Sequence, residues 1–102
     1  MAIEVIAYRG SENPEGGHWY TTDREHAAYF GTVRQYKLRV RKTAKLDWAS
    51  SKYAELGGYD ADAILYRALG LLRADCLELA GWEGSGICYL LKDPSDAKLI
   101  EA

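Results

Sequence analysis

The chain has 102 residues, room for one small domain with a genuine core and no more. Its 48% hydrophobic and 27% charged residues are those of an ordinary soluble globule. With 13 basic against 15 acidic residues and a net charge of -2, no bulk electrostatic binding to nucleic acid is expected. No apolar run approaches transmembrane length, and Met1-Ala2-Ile3-Glu4 carries no secretory pattern, so a cytoplasmic protein of the host cell is expected, with no membrane partner. Cys76 and Cys88 then read as reduced core residues, and no Cys/His cluster has zinc spacing, so no metal is expected.

The elements follow in chain order. Ile3 to Tyr8 is β-branched and half alternating, a strand that runs into Arg9-Gly10. Ser11 to Gly17 has turn chemistry throughout, and His18 to Thr21 is extended. Thr22 with Glu25 three residues on forms a capping box for a helix. That helix would turn Ala27, Ala28 and Phe30 to the core and stop at Gly31. Over residues 33–41 the pattern alternates cleanly, with Tyr36, Leu38 and Val40 inward and Gln35, Lys37, Arg39 and Arg41 outward.

A short helix over residues 50–56 closes at Gly57-Gly58, and Asp60 or Asp62 caps the next one. There Ile64, Leu65, Ala68, Leu69 and Leu72 recur at helical spacing around Gly70. Residues 74–79 read as a strand, Gly81 to Gly86 as a hairpin loop, and residues 87–91 as its return strand. Asp93-Pro94 breaks the chain before a final strand over residues 97–100. Strands with helices segregated between them predict an α+β domain with a mostly antiparallel sheet and two or three helices.

Two segments carry chemistry. Arg9, at a strand end beside a glycine that permits close approach, suits a diphosphate or ribose, or is simply a surface arginine before a turn. In Trp19-Tyr20-Thr21-Thr22, hydroxyls flanked by aromatic rings suit a sugar and a base; equally, Thr22 caps the helix and Trp19 fills the core. Arg34, Lys37, Arg39, Arg41, Lys42 and Lys45 gather on and beyond one strand, as a solvated edge or as a patch for an acidic partner or for nucleic acid within a larger complex.

Tyr8-Arg9-Gly10 followed by Trp19-Tyr20-Thr21-Thr22-Asp23-Arg24-Glu25-His26-Ala27-Ala28-Tyr29-Phe30-Gly31 resembles the ADP-ribosyltransferase family. Gly86 to Leu91 with Asp93-Pro94 is similar to the C-terminal part of small phage-encoded ADP-ribosyltransferases that inactivate CRISPR complexes. The resemblance implies an ADP-ribosyltransferase-like domain with NAD as co-substrate. It implies that Arg9 holds phosphate or ribose, that Thr21 supports the nicotinamide-side ribose, and that Tyr20 and Tyr29 wall the nicotinamide. The acid that stabilises the ribosyl cation would be Glu83, with Glu78 second. The implied activity is mono-ADP-ribosylation of a protein target such as a bacterial defence complex. The alternative is a non-catalytic inhibitor that kept the fold and blocks such a complex by binding it.

Overall fold

The computed structural model describes residues 3–12, 17–47, 61–80 and 86–101. The expected helix over residues 50–56, the Asp60 cap and the loop bearing Glu83 lie outside the described residues, whereas Asp62, the other cap candidate, falls inside the helix Ala61–Leu71 and does not precede it. Seven strands form one sheet: β1 (Ile3–Gly10), β2 (Trp19–Thr21), β3 (Val33–Val40), β4 (Thr43–Asp47), β5 (Cys76–Ala80), β6 (Cys88–Leu91) and β7 (Ala97–Glu101). Two described helices, α1 (Arg24–Ala28) and α2 (Ala61–Leu71), accompany them, with a 3-10 turn over Pro94–Asp96. The α+β class expected from the sequence is what these elements make.

The strand order is β4-β5-β6-β2-β1-β3-β7, antiparallel except for β4 beside β5. Laid flat, five steps would hold β4 about 24 Å from β3. Yet only Arg41 and Lys42 join the two strands, a reach of at most about 11 Å. The sheet therefore curls. Asp75 pins the resulting corner: its Oδ2 accepts from the Arg41 and Lys42 amides at 3.0 and 3.3 Å. Its own amide donates to the Lys42 carbonyl, and its carbonyl accepts from Lys92.

Alternation divides the core between the two faces. Val5, Ala7, Tyr20, Tyr36, Leu38, Val40, Cys76, Tyr89 and Leu91 fill the concave side. Leu77, Leu79, Cys88 and Leu90 face outward and pack under Leu65, Ala68 and Leu69 of α2. The expected inward set of β3 and the apolar stripe of α2 are both found.

Three expectations change. Asp23, not Thr22, caps α1, accepting from the His26 amide at 3.1 Å. Thr22 Oγ1 instead accepts from the Ile87 amide at 2.8 Å and ties α1 to β6. With α1 only five residues long, Ala27 alone turns to the core; Ala28 and Phe30 are exposed. Gly31, at φ +132°, still ends the turn, as only glycine does without strain. Finally β4 is a strand that no alternation announced.

The end of α2 offers a stability test. Ala74 N–H donates to Leu69 O and Arg73 N–H to Gly70 O, the paired bonds of a Schellman ending. Its left-handed position, φ 51°, holds Arg73 where glycine is preferred. Arg73→Gly should therefore stabilise the protein by about 1 kcal/mol in urea unfolding. An unchanged or lower midpoint would show that the arginine side chain contributes there.

Candidate functional site

β1 pairs with β3 along its whole length, from Ile3↔Val40 to Gly10↔Val33. Its other neighbour, β2, is joined at one pair, Tyr8↔Thr21. Past that pair the strands part, and a cleft of ≈ 430 Å³ opens between Arg9-Gly10-Ser11 and Trp19-Tyr20. His26, Ala27 and Phe30 wall it from α1 and its following turn. Its size is that of a small-molecule site.

Arg9 spans the parting, its Nη1 donating to the Trp19 carbonyl at 3.2 Å. Its Nε is buried and unpartnered. Arg34, directly opposite on β3, donates to the Ser11 carbonyl at 2.9 Å. Two arginines paired across β1 and β3 thus each donate to a backbone carbonyl, with no carboxylate partner among the described residues. Tyr20 OH accepts from the Gly17 amide at 3.0 Å. Burial raises its phenol above the ordinary range, while that amide and Arg9 oppose the shift. Thr21 is buried, and its Oγ1 accepts from the Asp23 amide at 3.0 Å.

Of the residues singled out in the sequence, Arg9, Tyr20 and Thr21 meet at this cleft. Tyr29 does not: it follows the last helical residue, is 85% exposed and packs edge-on against His26. Gly10 differs from expectation in its role. The space a side chain would need there is filled by the Ala27 carbonyl, so the glycine admits α1 rather than a ligand. Tyr8, His26 and Phe30 are cleft residues that the sequence reading did not assign. Only the fold, by setting α1 across the strand ends, brings His26 and Phe30 in.

Glu78 lies elsewhere. Because Leu77 and Leu79 face α2, Cys76 and Glu78 face the concave side. Glu78 there accepts from Tyr89 OH at 3.1 Å, 3.8 Å from Lys45 Nζ, at a second cavity of ≈ 120 Å³. Burial first, then the Glu78 charge, pushes the Tyr89 phenol up to about 12. A phenol raised above its unfolded value stabilises the fold below about pH 10, and that contribution is lost as pH rises toward about 12. Urea midpoints should fall over that window by the equivalent of about 1–2 kcal/mol. Tyr89→Phe should remove its own share of the alkaline loss and leave the share of Tyr20 and Cys76, which burial raises as well; an unaltered pH profile would assign the whole loss to those groups. Burial and nearby carboxylates likewise push the Cys76 thiol up to about 12, so it is no nucleophile at neutral pH.

No protein-family model matches the chain. No curated protein sequence matches it. Among solved structures, one described as the crystal structure of an anti-CRISPR protein matches 98% of this chain and 96% of its own, at TM-score 0.50 and 12% identity. The two chains share a fold. The match runs almost end to end in both, so the likeness is of the whole chain and not of one motif. None of these comparisons names an ADP-ribosyltransferase, and that likeness rests on the sequence segments quoted above.

Proposed function

We propose that this chain is an anti-defence protein of the anti-CRISPR kind, whose β1–β2 cleft takes NAD and transfers its ADP-ribose to a protein of the defence complex. The observation that carries this reading is the convergence of Arg9, Tyr20 and Thr21 on one cleft. The fold shared with an anti-CRISPR protein supports the anti-defence part. In the cleft the Arg9 guanidinium, with Nε unengaged, would hold a phosphate oxygen. Thr21 would support a ribose, and the rings of Tyr8, Trp19 and Phe30 would cover the bases. Cleaving the nicotinamide–ribose bond builds positive charge on the ribose, and Glu83 is the carboxylate assigned to stabilise it.

One observation favours a second reading, inhibition by binding alone: no Asp or Glu among the described residues lines the cleft. Calorimetry with NAD and an assay of nicotinamide release separate the two, using wild type, Arg9→Met and Glu83→Gln. The transferase reading expects saturable binding that Arg9→Met weakens more than about 10-fold. It also expects a Glu83→Gln protein that binds NAD but releases nicotinamide about 100-fold more slowly. Binding without release in the wild type supports the second reading. No binding to wild type at millimolar NAD overturns the first.

A further inference from the structure

The outer face of β1, β3 and β7 is a basic surface distinct from the cleft. Register and alternation place Glu4 and Ile6 of β1, Lys37 and Arg39 of β3, and Lys98 and Ile100 of β7 together on it. All six are exposed, Ile6 at 44% and Ile100 at 48%. Lys37 stands directly opposite Lys98, a like-charge pairing that weakens a sheet. Glu4, 3.7 Å from Lys37, is the carboxylate among these six residues. At its border Arg24 covers the Tyr8 ring at 5.6 Å. Among these six residues three cations thus face one carboxylate, in a chain whose net charge is -2.

Protection of a sheet edge accounts for Lys98 on β7, the last strand in the order. It does not account for Lys37 and Arg39, because β3 lies between β1 and β7. Such a cluster is costly in the free protein and is relieved by an anionic partner. We propose that this face docks an acidic protein surface carrying aliphatic side chains among its carboxylates. Ile6 and Ile100 supply the apolar contact, and the cations steer and orient the encounter. A single nucleic-acid strand fits less well, since it wants open aromatic platforms along its path and none of the six residues on this face is aromatic. The proposal does not depend on whether the cleft takes NAD.

The test is an NMR titration of the labelled full chain with a synthetic Glu/Leu peptide and, separately, with oligothymidylate of equal charge. Saturable peptide shifts are expected at amides of β1, β3 and β7, with affinity falling about tenfold between about 0.05 and 0.3 M NaCl. Lys37→Gln with Arg39→Gln and Lys98→Gln should remove them. Glu4→Gln should tighten binding a few-fold, a gain that damaged folding cannot mimic. Shifts centred elsewhere, no saturable binding, no gain from Glu4→Gln, or tighter binding of the oligonucleotide would each overturn the proposal.

Discussion

Gly10→Ala should cost the fold on the order of 2–3 kcal/mol and abolish ligand binding in the cleft. The added methyl would meet the Ala27 carbonyl, which is backbone and cannot rotate away. β1 cannot retreat, because Gly10 ends a ladder that pairs every residue of the strand with β3. Helix α1 must therefore lift, and it carries His26, Ala27 and Phe30, which wall the cleft. Its cap at Asp23 and the Thr22–Ile87 bond resist that movement. A urea midpoint and a calorimetric titration on the same sample read both effects. Loss of stability with intact NAD binding would show that α1 moves without disturbing the cleft. An unchanged midpoint would show that α1 is free to give way.

Arg9→Met should do the opposite to stability while removing binding. The buried, unpartnered Nε is the kind of group whose desolvation costs about 1–3 kcal/mol. Against this stands one hydrogen bond to the Trp19 carbonyl, contributing about 1 kcal/mol. Methionine keeps most of the apolar stem. The net expectation is a protein as stable as wild type or about 1 kcal/mol more so, with NAD affinity reduced more than about 10-fold. A stabilised but non-binding variant marks a residue kept for its ligand. If Arg9→Met instead lowers the urea midpoint by about 2 kcal/mol, the guanidinium is a structural clamp between β1 and β2.

The long elements were legible because burial writes a period into them. β3 alternates since one face is core, and α2 repeats its leucines because it lies across β5 and β6. β4 was not legible. Its half-buried Thr43, Ala44 and Leu46 gain their place from parallel pairing with β5, a contact no local pattern encodes. The Thr21-Thr22-Asp23 run named the right place and the wrong division of labour. All three are capping side chains, and which amide each accepts depends on where β6 arrives. Arg9, Tyr20 and Thr21 could be singled out by residue type and position at strand ends. His26 and Phe30 could not, because their place in the cleft depends on the angle at which a five-residue helix crosses the sheet.

The single Tyr8↔Thr21 bridge has a mechanical consequence. Every other strand boundary is held by three or more paired residues. The molecule is therefore two leaves, β4-β5-β6-β2 and β1-β3-β7, on a spine one residue pair wide, held together at the far corner by Asp75. Opening the spine breaks less backbone bonding than parting any other pair of strands. Hydrogen exchange at Tyr8 and Thr21 will outpace that at the β1–β3 ladder, and whatever fills the cleft will slow it by bracing the two leaves against each other.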